Sequence, residues 1–269
     1  MKPSLTVIFI TLNEEYHIGA AIDNIKDIAN EIWVVDSGST DKTVEIAESK
    51  GAKVIYHKFE NFGAQWNFAL SLPIKSAWTM KMDPDERLST ELKNEILFTL
   101  NLVDISIKGF SFDRVLWFLG KRLDGVKNNV VRIWRTGSCR FSDVVVNEHP
   151  LIQGKIIKLK GLMEHLDSKN LSHWLEKQNK YTTGEALMRY RNDELSVSPK
   201  LFGKNLERRM WFKRYFYKLP CRYQIWFLYC FFVRGAWRSG RTGWAWAQMR
   251  VMVMRLVEYK WIESCNARR

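Results

Sequence analysis

The stretch LTVIFITLNEEYHIGAAIDNIKDIANEIWVVDSGSTDKTVEIAESKGAKVIYH, residues Leu5–His57, carries the pattern from which the architecture follows. Within it LTVIFIT (Leu5–Thr11), EIWVVD (Glu31–Asp36) and AKVIYH (Ala52–His57) are short apolar, β-branched runs, as strands buried on both faces require. Between them Glu14–Ile28 and Thr40–Lys50 have helical spacing, the second opened by Ser39, Thr40 and Asp41 as cap and first-turn acid. This alternation predicts an α/β fold with an open, Rossmann-like, mostly parallel sheet and flanking helices. Such sheets bind ligands beyond the carboxyl ends of their strands.

Moving outward, a helix over Gly63–Ser71 leads into a buried strand, Ala77–Met82, which ends directly on Asp83-Pro84-Asp85-Glu86. A helix over Thr90–Leu100 follows, then strands at Lys108–Phe118, Val130–Trp134 and Lys155–Leu159, a turn at Leu119-Gly120, and a helix over Asn170–Tyr190. With 269 residues, 46% hydrophobic, the chain can bury a real core, which excludes disorder as its main description. The four cysteines are far apart and match neither a disulfide framework nor a zinc site. The first residues run straight into a strand, so no signal peptide is expected and the catalytic end is expected in the cytoplasm.

The net charge of +13 is confined to one end: residues 200–269 carry sixteen basic and three acidic residues, whereas residues 1–199 sum to zero. The same tail holds Trp211, Trp226, Trp237, Trp244, Trp246 and Trp261. Indoles mixed with cations suit an anionic membrane surface, and Tyr223–Val233, the longest uncharged stretch there, is only 11 residues where about 20 are needed to cross. The chain therefore reads as a body (1–199) and a basic, aromatic, helical extension (200–269) that lies on a membrane without spanning it; the alternative is a helical pair packed on the main domain with solvated arginines on its outer face.

Three acidic clusters fall at strand ends. Asp36 closes the second strand, where a carboxylate can accept from a base N–H or a ribose hydroxyl beside free backbone amides; Asp-Ser-Gly-Ser-Thr-Asp is equally an ordinary turn. Asp83 and Asp85 offer oxygen ligands for Mg²⁺ or Mn²⁺ bridging a diphosphate, with Pro84 restricting how the pair is presented. Glu148, in VNEHP, can serve as general base toward an acceptor hydroxyl, and His165 offers an imidazole to the same metal.

Taken in order, VIFITLNEE (Val7–Glu15), the run Glu31–Ile55, FGAQWNFAL (Phe62–Leu70) and MKMDPDERL (Met80–Leu88) resemble family 2 glycosyltransferases of the GT-A fold. FLGKRLDG (Phe118–Gly125), VVRIWRTG (Val130–Gly137), VNEHPLIQGKIIKLKGLMEHLD (Val146–Asp167) and WLEKQNKYTTGEA (Trp174–Ala186) are similar to the bacterial lipopolysaccharide-core glucosyltransferase branch and its relatives in surface-polysaccharide assembly. The resemblance implies that Thr11 and Glu14 line a nucleotide pocket, Asp36 holds the base, Asp83 lies near ribose and diphosphate, and Asp85 is the main metal ligand. It puts Glu148 in the place of the catalytic carboxylate and His165 beside the diphosphate, with Gln65 and Asn67 near the pocket and orienting the Asp83–Asp85 backbone. Phe110–Trp117 and Arg132–Arg135 are expected to shape donor choice. Two departures stand out: Asn147 precedes Glu148 where the branch has a His, and Pro84 replaces a small residue.

The implied activity is inverting, metal-dependent transfer of a sugar from a nucleotide-sugar, UDP-linked by expectation, to a hydroxyl of a lipid-linked saccharide. The implied place is the inner face of the plasma membrane, in lipopolysaccharide or capsule-type polysaccharide synthesis. A different class of reading is a non-enzymatic nucleotide- or nucleic-acid-binding module working through the basic tail. The neutral body argues against it, so no nucleic-acid partner is expected. A nucleotidyltransferase would need a Gly-rich or basic phosphate loop after the first strand, and Thr11–Glu15 has neither.

Overall fold

Strand β1 (Leu5–Thr11) pairs in parallel with β2 (Glu31–Asp36) on one side and β4 (Trp78–Met82) on the other, and β3 (Lys53–Tyr56) extends the sheet beyond β2. The structure, a computed structural model, describes residues 3–141, 149–191, 198–203 and 205–267, with 205, 206, 209 and 213 described by backbone alone. The strands lack polar alternation because both faces are covered. Val7 and Phe9 enter one apolar cluster with Ile22, Met80 and Phe110, while Ile8 enters another with Val35, Trp66 and Trp134.

Helices α1 (Ile18–Ile25), α2 (Thr43–Ser49), α3 (Phe62–Ser71) and α4 (Thr90–Leu102) flank the strands. The first two start later than their spacing predicts. Asn13 takes a left-handed φ of 56°, the Glu14 and Glu15 amides donate to Thr43 Oγ1 and Asp41 Oδ2, and residues 15–17 form a turn closed by the His17 and Ile18 amides on the Glu14 oxygen before the regular helix starts at Ile18. The expected cap on α2 is also corrected. Its cap position falls on Lys42, and the Ser39 hydroxyl is spent on Asp36.

Eight strands form one sheet in the order β3-β2-β1-β4-β7-β6-β10-β5, with β5 at Glu86–Leu88, β6 at Ile107–Phe118, β7 at Lys121–Arg135 and β10 at Lys155–His165. A separate antiparallel pair, β8 (Cys139–Phe141) and β9 (Pro150–Ile152), lies outside it. Strands β7 and β10 run further than expected, because their extra residues expose one face to water and so carry lysines and asparagines rather than apolar runs. In β10 the register against β6 shifts between Lys158 and Leu162. The Lys160 and Gly161 amides freed by that bulge donate to the Glu95 carboxylate of α4 at 2.9–3.0 Å. Gly161 meets the helix so closely that a Cβ there would stand 2.4 Å from Leu92 Cα.

Only Asp83, Pro84 and Asp85 separate β4 from β5, although three strands lie between them in the sheet order. Four steps of a flat sheet cover about 19 Å, whereas the chain from Met82 to Glu86 reaches about 14 Å at most. The sheet must therefore curl round the turn. Its curl is fixed by charge: Arg132 of β7 donates to Asp83 Oδ2 at 2.8 Å and to Glu86, and Arg114 of β6 donates to Glu86 Oε1 at 3.1 Å. Glu86 is fully buried.

By internal packing the chain divides into two units, residues 1–116 with 127–167, and residues 117–126 with 168–269. In the second, α5 (Leu171–Arg191) runs against α8 (Gly240–Asn266), pinned by Lys260 Nζ on Asn179, Thr182 and Thr183. Helices α6 (Asn205–Tyr215) and α7 (Arg222–Leu228) complete it around buried Phe216, Trp246 and Val257. Gly235 (φ 77°) meets Gly125 backbone to backbone, where a Cβ on Gly125 would come within 2.0 Å of the Gly235 oxygen.

Arg132→Leu leaves buried Glu86 with half its neutralising charge, so urea unfolding should show a loss of about 3 to 5 kcal/mol, with Arg132→Lys losing less. Gly161→Ala should cost about 1 to 3 kcal/mol in the same assay through overpacking against α4.

Candidate functional site

The carboxyl ends of β1, β2 and β4 lie on one edge of the sheet, as the register pairs Thr11↔Asp36 and Phe9↔Met82 require. Asp36 is buried and fully engaged there. Its Oδ2 accepts the Gly38 and Ser39 amides at 2.8 Å, and its Oδ1 accepts the Thr11 hydroxyl at 3.0 Å and the Ser39 hydroxyl at 2.6 Å. Four donors fill the capacity of a carboxylate. As arranged, Asp36 shapes its own turn, and a base N–H would have to displace a hydroxyl to reach it. The two loops at this edge are zipped together: the Asn13 amide donates to Ser39 Oγ, the Thr40 amide to Asn13 Oδ1, and the Glu14 amide to Thr43 Oγ1. Glu14 is half-buried in that loop.

Behind this edge Gln65 of α3 is wholly buried, its amide nitrogen donating to Ser37 Oγ at 3.1 Å and its oxygen 2.7 Å from His57 Nδ1, with His57 stacked on Phe68. Asn67 grips both backbone groups of Phe141, donating to its oxygen at 3.1 Å and accepting from its amide at 2.9 Å. Neither side chain bonds the Asp83–Asp85 turn, which corrects the expectation that they orient it. Gln65 supports the turn after Asp36, and Asn67 fixes the end of β8. The turn itself is held by Arg87, whose Nη1 donates to the Pro84 oxygen at 2.6 Å and whose Nη2 donates to the His17 oxygen at 3.0 Å.

Strand β5 pairs antiparallel with β10, His165 opposite Glu86, and this brings an imidazole from far along the chain to the turn. His165 Nε2 lies 3.3 Å from Asp85 Oδ2, and the Leu166 amide donates to the Asp85 backbone oxygen at 2.8 Å. Asp167, held at a left-handed φ of 34°, joins them: one ligand atom each from Asp85, His165 and Asp167 lie within 4.8 Å of one another. Two carboxylates and an imidazole so placed have the chemistry of a divalent-cation site. Asp83 faces Arg132 instead. Burial would raise its carboxyl, but Arg132 and Lys81 outweigh that and hold it well below the usual carboxylate range.

Thr11, Glu14, Asp36 and Asp83 thus share the sheet edge, with Asp85 and His165 forming one cluster beside it. Glu148 lies outside the described residues, as does Asp143. Glu164 sits in register opposite Arg87. Phe110, Phe112, Val115, Ile133 and Trp134 are core residues, so the expectation that 110–117 and 132–135 wall a donor pocket is corrected there. Sequence reasoning missed Asp167 and Glu86, and it read Arg132 as part of a donor-shaping stretch instead of as the partner of Asp83 and Glu86. Asp167 had a signal, the His-x-Asp spacing at a strand's end. Arg132 had none, since its partners are set by sheet order.

Residues 6–101 match the sequence profile described as glycosyl transferase family 2. An uncharacterized glycosyltransferase of Rickettsia felis is 30% identical over 234 residues, 79% of this chain and 78% of its own length. A lipopolysaccharide core biosynthesis glycosyltransferase of Rhizobium meliloti is 29% identical over 252 residues, 90% of this chain and 86% of its own. Among solved structures, a mannosyltransferase from Pyrobaculum calidifontis, in complex with GDP-Man and Mn²⁺, aligns with a TM-score of 0.56 at 14% identity, covering 97% of this chain and 88% of that one. That likeness speaks for the fold: a GT-A sheet with a C-terminal helical extension. On sequence and architecture together, the chain belongs to glycosyl transferase family 2.

Proposed function

We propose that the chain is an inverting, metal-dependent hexosyltransferase that moves a sugar from a nucleotide-sugar, UDP-linked by preference, to a hydroxyl of a lipid-linked saccharide. The observation that carries this reading is the convergence of Asp85, His165 and Asp167 beside the carboxyl edge of β1, β2 and β4. The three side chains fit Mn²⁺, and Mg²⁺ less well because one donor is an imidazole. Held there, such a cation would supply positive charge against the departing nucleoside diphosphate.

Each remaining role belongs to a residue of this chain. Thr11, Glu14 and the turn shaped by Asp36 and backed by Gln65 receive the nucleoside. Asp83, fixed by Arg132, faces ribose and diphosphate. Glu148 removes the acceptor proton as the hydroxyl attacks the anomeric carbon opposite the leaving group, and a single displacement inverts the centre. The similarity to a lipopolysaccharide core glycosyltransferase supports an acceptor in lipopolysaccharide or capsule-type polysaccharide synthesis. The carboxylate-poor tail supports a place on the cytoplasmic face of the plasma membrane, and no helix among the described residues is long and apolar enough to cross it.

In a nucleotide-sugar hydrolysis or transfer assay with Mn²⁺, Glu148→Gln should lower turnover about 10²- to 10⁴-fold with donor binding kept. Near-normal turnover in that variant would move the base to Glu164 or Asp143. Asp85→Asn should remove the Mn²⁺ dependence of donor binding in a thermal-shift titration, while Asp124→Asn, outside the site, should leave it unchanged.

A further inference from the structure

From Arg208 to Val257 the chain has fifty residues without one carboxylate, and eleven lysines and arginines. Within that span the structure leaves an unusual set of large apolar side chains in water: Ile225 and Leu228 on α7, Phe232 and Val233 just after it, Trp237, and Trp244 on α8. Phe232 is 58% and Val233 73% exposed. The backbone explains how two adjacent residues both face outward. Tyr229–Val233 winds as a π-helix, closed by the Arg234 amide on the Tyr229 oxygen, so the turn is wider than an α-helical one. Gly235 and Gly240, both at positive φ, then fold a short 3₁₀ turn carrying Trp237 back to the start of α8. Arg238 on that turn and Arg241 in the first turn of α8 are exposed.

We infer that residues 225–244 are a membrane-docking wedge, whose apolar tip enters the interfacial layer of a bilayer while Arg238 and Arg241 meet anionic lipid headgroups. The inference deepens the membrane-borne acceptor reading by naming the element that docks. The partner is a lipid surface because the patch combines exposed apolar bulk and two exposed indoles with unopposed positive charge, the combination that interfacial anchoring needs. A protein partner that covered the apolar tip would have to be acidic around its rim as well.

The test is flotation of the full chain with vesicles of phosphatidylethanolamine and phosphatidylglycerol, against vesicles of phosphatidylcholine alone, with no donor or acceptor present. Failure here is thus separable from failure of sugar transfer on a soluble acceptor. The wild-type chain should float with the anionic vesicles and be released by salt. Phe232→Ser with Val233→Ser, and separately Arg238→Glu with Arg241→Glu, should each weaken binding about tenfold or more at an unchanged melting temperature. Wild-type protein that stays unbound, or variants that float as wild type does, would overturn the inference. So would a change of oligomeric state in the serine variant without a change in lipid binding, or RNA binding in a gel shift with no lipid preference.

Discussion

A turn of three residues has to join two strands that stand four places apart in the sheet. Chain length forbids that in a flat sheet, so β7, β6 and β10 wrap round the turn, and side chains from all three arrive at it: Arg132, Arg114 and His165. Two consequences follow from one constraint. Positive charge from β7 and β6 is buried against Glu86 and Asp83, which holds the curl. An imidazole from β10 is delivered beside Asp85, which makes a site. Arg132 binds Asp83 and Glu86, while Asp85 lies with His165 and Asp167.

The same division between shaping and contacting runs along the β1–β2 edge. Asp36 has all four of its acceptor positions met by its own loop, and Gln65 is consumed by Ser37 and His57. These side chains set the form of the two loops at this edge through hydrogen bonds to backbone and hydroxyl groups.

What could be read from residues alone was whatever local pattern dictates. The unalternating runs at Leu5–Thr11, Glu31–Asp36 and Trp78–Met82 are buried on both faces, so their burial is written in their composition, and the acids that end them fall at one edge by parallel pairing. Strand β5 was not legible, because three residues carry no period and exist as a strand only through β10. The start of α1 was missed because residues 15–17 form a turn ahead of the regular helix, tied through the Glu14 and Glu15 amides to residues 43 and 41, distant in sequence. Arg132 looks like any strand arginine until sheet order places it between Asp83 and Glu86. In the tail, charge and tryptophan content were visible at once, whereas the pairing of Phe232 with Val233 on the outside depends on a wide turn that composition does not announce.

Asp85, His165 and Asp167 are proposed to hold one divalent cation against a nucleoside diphosphate. Anomalous diffraction at the manganese edge, from crystals of the full chain grown with Mn²⁺ and UDP, tests it most directly. A single strong peak bonded to Asp85, His165 and Asp167 is expected, with the diphosphate oxygens completing its shell. A nucleotide bound with no peak at these residues, or with manganese held elsewhere, would contradict it.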